Sequence, residues 1–150
     1  MIALKRTNSS DPDFQSLVKL LDEDLAVRDG AIEHDFYAQF NKIDKIKNVV
    51  IAFAEGEVIG CGAIKDFNGE AMEIKRMYVL PKHRGQGIAH QIIKELECWT
   101  RELDYKFCVL ETGKKQPEAI ALYFKAGFQI TDNYGQYVGI GNSICFKKQL

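Results

Sequence analysis

A strand halted by proline and then turned by two glycines into a long amphipathic helix leaves few ways for a chain to fold. The segment is Met77-Tyr78-Val79-Leu80-Pro81-Lys82-His83-Arg84-Gly85-Gln86-Gly87-Ile88-Ala89-His90. Pro81 has no N–H to offer a ladder, and Gly85 and Gly87 permit a tight turn. The helix after them carries Ile88, Ile92, Leu96, Trp99 and Leu103 on one side. The N–H groups of its first turn lack intrahelical partners, and its aligned peptide dipoles leave partial positive charge there. Glycines let the backbone approach a bulky anion, and small Ala89 does not block it, so the turn is a ready site for a pyrophosphate. Two related motifs fit less well. A nucleotide P-loop needs Lys and Ser/Thr after its last glycine, where Ile88-Ala89 stand. A dinucleotide fingerprint needs Gly or Ala where His90 stands, and a parallel array where antiparallel strands are expected.

The remaining elements arrange themselves around this turn. Leu4–Thr7 reads as a short first strand, and Asp11-Pro12 as a cap and first helical residue. Phe14, Leu17, Val18, Leu21 and Leu25 then form one apolar stripe on a helix ending near Val27. Gly30 breaks the chain, and Ala31–Phe40 reads as a second short helix with Ile32, Phe36 and Phe40 on one face. From Asn48 the period changes. Strands over 48–54, 58–67 and 71–80, joined at Glu55-Gly56-Glu57 and Asn68-Gly69, predict an antiparallel meander. After the long helix come a strand over Phe107–Leu110, a helix over Gln116–Lys125 ending at Ala126-Gly127, and strands over 128–130 and 144–147. The expected fold is a single α+β domain over residues 1–150. A mixed, mostly antiparallel central sheet is flanked by about four helices, with one β-α-β crossover in the second half.

Composition narrows the function. The 150 residues carry a formal net charge of -1, without the basic stripe that nucleic acid requires. The longest apolar run, Val49 to Ala54, is far too short to span a bilayer, and Met1 to Arg6 shows no secretory pattern. Cys61, Cys98, Cys108 and Cys145 are scattered among apolar neighbours, with no metal-type spacing. They read as free, mostly buried thiols in a reducing compartment, which predicts a cytoplasmic protein without a metal.

Arg84-x-x-Gly87-x-Ala89 resembles the Arg/Gln-x-x-Gly-x-Gly/Ala motif of the GNAT N-acetyltransferase superfamily. Ala119-x-x-Leu122-Tyr123-x-x-x-Gly127-Phe128 is similar to that family's second signature, except that Gln116 stands where its Asn is usual. Element order matches along nearly the whole chain. The resemblance implies splayed coenzyme-binding strands, with acetyl-coenzyme A as co-substrate and an amine of a small molecule or peptide as acceptor. The pantetheine arm would lie where the strand ending at Val79 diverges from that at Phe107–Leu110. It would pair with backbone near Met77 and Val79 and take an amide from Gln116. Backbone N–H groups of Arg84, Gly85, Gln86, Gly87, Ile88 and Ala89 would hold the pyrophosphate, and an N–H near Tyr78 would polarise the thioester carbonyl. The resemblance also implies closing edge strands of the kind that form homodimers in that family, although the sequence leaves oligomeric state open.

An ammonium with a pKa of about 10.4 must lose a proton before it attacks. Glu73 is the candidate base, since members of the family, its histone-modifying branch included, are similar in carrying Glu there. Strict alternation predicts Glu73, Lys75, Met77 and Val79 on one face, so Glu73 reads equally as an ion-pair partner of Lys75. Tyr123 matches the family's general acid; as a plain helix tyrosine it would pack beside Phe124 and Phe128. His83 and His90 flank the turn, and His34 lies near Glu33 and Asp35; each reads as solvated or capping rather than catalytic. The acid-rich stretch from Asp22 to Asp35 suits a cationic acceptor or is simply a solvated face, and Tyr134 and Tyr137 are candidates for the opposite wall. An acyl-coenzyme A sensor without turnover is the alternative to an enzyme.

Overall fold

The computed structural model describes residues 1–29 and 46–150; the expected helix over 31–40, with Gly30 and His34, lies outside them. Asn48–Ala54 (β2) is a β-branched run buried on both faces, as a central strand must be. It lies between Ile2–Thr7 (β1) and Glu57–Asp66 (β3), antiparallel to both. Ala71–Val79 (β4) returns beside β3 through the Asn68-Gly69 turn, where Asn68 Oδ1 accepts the N–H groups of Glu70 and Ala71. Phe107–Gly113 (β5) is parallel to β4, and Ser143–Gln149 (β7) pairs antiparallel with β5 and with Gln129–Thr131 (β6). The sheet runs β1-β2-β3-β4-β5-β7-β6.

Three α-helices cover it among the described residues. Pro12–Asp29 (α1) begins where Asp11 Oδ1 accepts the Asp13 N–H. It seals one face, placing Phe14, Leu17, Val18 and Leu21 against Val49, Ile51, Cys61, Ala63 and Tyr78. Ile88–Glu102 (α2) and Pro117–Lys125 (α3) cover the other face, over Val50, Ile59, Ile64, Met72, Ile74 and Val79. The buried side of α2 comprises Ile88, Ile92, Ile93, Leu96 and Thr100, so the expected stripe stops short of Leu103, which is exposed beyond the helix end. Glu97 is fully buried on α2, and Lys148 Nζ donates to both its oxygens at 3.0 Å and to Ala126 O at 2.9 Å. That contact ties the C-terminal end of α3 to β7 and α2. Cys61, Cys108 and Cys145 are buried, Cys98 is exposed, and all four are free. Among the described residues, no helix is long and apolar enough to cross a membrane.

Two irregularities in β4 give the sheet its opening. First, β4 and β5 pair only at Ala71–Phe107, Met72–Cys108 and Glu73–Val109, then part company although both strands continue. Second, the β3–β4 register slips between Cys61–Tyr78 and Ala63–Lys75, which places three β4 steps opposite two on β3. The extra residue falls at Arg76, whose φ of 59° is left-handed and costs a non-glycine residue about 1–2 kcal/mol. The bulge overturns strict alternation. Met77 and Val79 join Met72 and Ile74 on the α2 side, whereas Tyr78 packs on the α1 side. Glu73 and Lys75, flanking Ile74, therefore lie on the face opposite Met77 and Val79 rather than with them.

Candidate functional site

Where β4 and β5 separate, a cleft of about 630 Å³ runs through the sheet from the α1 side to the α3 side. Glu73, Met77, Tyr78 and Val79 line it from β4. Arg84, Gly85, Gly87, Ile88 and Ala89 line its end at the start of α2, and Gln116 and Tyr123 its α3 wall. Of the catalytic and coenzyme-binding residues expected from the sequence, Gln86 alone is not in the lining; it is exposed on the turn.

The turn is built by backbone conformation. Pro81–His83 forms one turn of 3-10 helix, and Gly85 and Gly87 both sit at φ 80°. Among the described residues no side chain caps α2, whose first internal bond is Gln91 N–H to Gly87 O. A Cβ at Gly85 or Gly87 would meet nothing within 4 Å, so these positions need glycine for their left-handed φ and not for want of space. Arg84 departs from expectation. Its N–H donates to Pro81 O at 3.3 Å, so the amides left for an anion begin at Gly85. Its Nε donates to Val79 O at 2.8 Å, and its guanidinium lies 5.4 Å from the Tyr78 ring centre. The arginine thus braces the turn against the end of β4.

Leu80 donates its N–H to Ile59 O across β3. Alternation along an antiparallel ladder then turns the Tyr78 amide toward β3 and the Val79 amide toward the cleft. The hydrogen-bond donor facing the opening is therefore that of Val79, one residue beyond Tyr78. On α3, Gln116 occupies the N-cap position without a side-chain capping bond, so its amide is not spent on the helix.

Tyr123 is buried between Phe128 and Phe146, with ring centres 6.0 and 5.9 Å away. Burial first, and the Glu111 charge second, push its phenol above the ordinary value of 10. Glu73 is buried on the α1 side, where its Oε2 accepts from Tyr134 Oη at 2.7 Å and its Oε1 lies 3.7 Å from Lys75 Nζ. Burial lowers the Lys75 pKa more than Glu73 restores it. The Glu73–Lys75 ion pair, one of the two readings of Glu73 in the sequence, is present, together with a tyrosine that the sequence assigned only to a wall.

That wall is held by Asn133, whose Nδ2 lies 3.0, 3.1 and 3.2 Å from the carbonyls of Tyr137, Ile140 and Ser143. Tyr137 lines the cleft, and the Tyr134 ring packs edge-on against Tyr137 and Phe67. Burial pushes both phenols upward, and Glu73 adds to the shift of Tyr134. The sequence reading missed Glu111, on β5 just past the point of divergence. It lines the cleft and accepts from Ser143 Oγ at 2.6 Å. Its only signal was a carboxylate interrupting an apolar strand, Val109-Leu110-Glu111.

The acid-rich stretch is partly neutralised within the fold. Asp22 pairs with Arg76, and Asp24 with Arg28 at 3.3 Å. Arg28 also reaches Glu118 on α3 at 2.6 Å, joining α1 to α3 by two residues that both line the cleft. Glu33, His34 and Asp35 lie outside the described residues. His83 and His90 line the turn end of the cleft, with Nε2 and Nδ1 respectively buried and without hydrogen-bond partners among the described residues.

Comparison with known proteins places this geometry. Over 89 residues the chain is 39% identical to an IAA acetyltransferase of Azospirillum brasilense, a stretch that is 59% of this chain and 58% of that protein. The chain spans about half the length of the curated relatives it matches. A Klebsiella pneumoniae structure provisionally described as an acyl-CoA N-acyltransferase superposes with a TM-score of 0.83 at 27% identity, covering 100% of this chain and 98% of that one. A GNAT family acetyltransferase of Elizabethkingia anophelis, solved with acetyl-CoA bound, shares the fold with a TM-score of 0.70 at 23% identity, covering 99% and 98%. The model of the acetyltransferase (GNAT) family matches residues 14–128. With a parted β4–β5 pair, an uncapped glycine turn and a family match across most of its length, the chain belongs to the GNAT acetyltransferase family.

Proposed function

We propose that the cleft binds acetyl-coenzyme A and that the protein transfers its acetyl group to the nitrogen of an amine. One observation carries this reading. The strands stop pairing at Glu73–Val109, and the gap they leave leads to the uncapped start of α2. A pantetheine arm fits such a gap as an inserted strand would, taking the Val79 N–H on one side and the Gln116 amide on the other. The amides from Gly85 to Ala89 suit the pyrophosphate. The Elizabethkingia fold neighbour holds acetyl-CoA, which supports this choice of ligand.

The chain's own residues supply the rest of the chemistry. Glu73, directly or through water, takes the first proton from the acceptor ammonium. The free nitrogen attacks the thioester carbon, and the Val79 N–H stabilises the oxyanion that forms. As the C–S bond breaks, Tyr123 gives its proton to the departing sulfur. The proton lost from nitrogen on forming the amide replaces it, so the products are an acetamide and free coenzyme A. Burial favours neutral Tyr123, the form that can donate.

Calorimetry with coenzyme A and acetyl-coenzyme A, followed by thiol release against an amine panel, tests the reading. Binding of both, with release dependent on amine, is expected. Glu73→Gln should then lower kcat/KM by about 10²–10⁴-fold while leaving coenzyme affinity within about twofold. Absence of binding would overturn the coenzyme site. Binding with no release on any amine would leave an acyl-coenzyme A sensor in place of an enzyme.

A further inference from the structure

The bulge in β4 has a chemical result at the acceptor end of the cleft. In a regular strand, Lys75 and Arg76 would point to opposite faces. The left-handed backbone at Arg76 instead allows both to serve the α1 side, where Glu73 also lies. Both cations are deeply buried, with side-chain exposures of 7% for Lys75 and 2% for Arg76, and both residues line the cleft. Arg76 Nη2 is bound by Asp22, but that carboxylate is 48% exposed on α1 and engages the guanidinium through this one nitrogen. Arg76 Nε is buried and has no hydrogen-bond partner among the described residues. Buried donors are rarely left unpaired, and a guanidinium fork is matched by a planar carboxylate. Of the neighbouring charges, Arg28 and Glu111 are engaged elsewhere, whereas the Glu73 carboxylate has acceptor capacity beyond its hydrogen bond from Tyr134. Arg28 is held by Asp24 and Glu118, Glu111 accepts from Ser143, and Glu73 accepts from Tyr134 beside Lys75.

We infer that the acceptor is an amino acid-type molecule, an amine that also carries a carboxylate, with Arg76 receiving the carboxylate and Glu73 the ammonium. This rests on the acetyl-transfer reading of the same cleft. It adds an anionic group to the acceptor that the cationic reading of the acid-rich stretch did not include, and Asp22 and Asp24 of that stretch already have arginine partners. Arg76 here selects the substrate and takes no part in bond making. Lys75 adds positive charge beside it and keeps an acidic acceptor from being repelled by Glu73.

The test is thiol release from acetyl-coenzyme A by the full chain, using free amino acids, their carboxamides and the corresponding decarboxylated amines as matched sets. Amino acids should exceed their carboxamides by about tenfold or more in kcat/KM, the worth of one charge-assisted contact. Arg76→Lys should bring that ratio toward one, mainly through KM, with the stabilisation by coenzyme A retained. Should that variant fail to fold, Asp22→Asn on the exposed side of α1 gives a second reading. Releasing the guanidinium should lower KM for the amino acid while moving KM for its carboxamide much less. Equal turnover of acids and carboxamides, or turnover confined to amines without a carboxylate, would overturn this inference and leave acetyl transfer standing. If coenzyme A binds but no amine in any set releases thiol, the transfer reading fails and the acceptor assignment falls with it.

Discussion

Tyr123 shows how one residue's surroundings decide what it can do. With 6% of its surface exposed, it is packed by Phe128 and Phe146 and feels the negative charge of Glu111. Burial and a nearby anion both disfavour the phenolate, so the proton is retained above the ordinary pKa of 10. In the general-acid role proposed for it, a tyrosine that does not ionise in the working range should impose no alkaline loss of its own. We expect kcat at saturating amine to show no descending limb between pH 7 and about 10, and Tyr123→Phe to lower it by about 10²–10⁴-fold. A limb near pH 10 that disappears in the phenylalanine variant would mean that Tyr123 titrates as an exposed phenol does. The place of Tyr123 in the cleft wall was legible because a helix signature surrounds it in the sequence. The environment of Glu73 was legible only in part. Lys75 is two residues away on the same strand, whereas Tyr134 reaches it from 61 positions further on. Arg76 was not legible at all, since the bulge occurs at an arginine with no glycine to mark it.

At the level of elements, α2 is held close to the sheet by absent side chains. A Cβ on Gly62 would stand 2.5 Å from Met77 Sδ, 2.9 Å from Ile92 Cγ2 and 3.0 Å from Leu96 Cδ1. Met77 has a flexible end that can move, but Ile92 and Leu96 are fully buried in the main core. Gly62→Ala should therefore destabilise the protein by about 1–3 kcal/mol in urea unfolding, the usual range for overpacking. Because α2 carries the glycine turn at its start, the same change should also weaken coenzyme A binding. A loss below about 0.5 kcal/mol would mean that the helix rises off the sheet without resistance. The Asn68-Gly69 hairpin was plain in the sequence because local chemistry dictates it: Asn68 bonds two nearby amides of its own turn. Gly62 was not, since its reason for being glycine lies on a helix much later in the chain. Likewise α2 looked longer on its apolar side than it is, because periodicity cannot tell that the sheet ends before Leu103.

Considered whole, the sheet is two ladders joined along a short seam. β1 to β4 form one side and β5, β7 and β6 the other, with three residue pairs between β4 and β5. The N–H groups of Lys106 and Phe107 add bonds to Glu70 O at the closed end, and the Arg28–Glu118 bridge links helices on either side of the cleft. Past Glu73 the β4 backbone loses its neighbour on the β5 side. A ligand lying there as a strand does would complete the sheet, so its effect on backbone protection should be local and directional. Hydrogen exchange with and without coenzyme A should show slower exchange at Val79 and across Gly85 to Ala89. Ala71 to Glu73, already paired on both sides, should change little, and β1 and β2 should not change beyond the global gain in stability. That global gain should reach about 2.7 kcal/mol at a ligand concentration of about 100 Kd. Protection spread evenly over the sheet would indicate tightening without insertion, and protection confined to the glycine turn would indicate phosphate binding with the arm outside the gap. Either pattern would remove the strand-like seat from which the Val79 N–H is assigned to the reacting carbonyl.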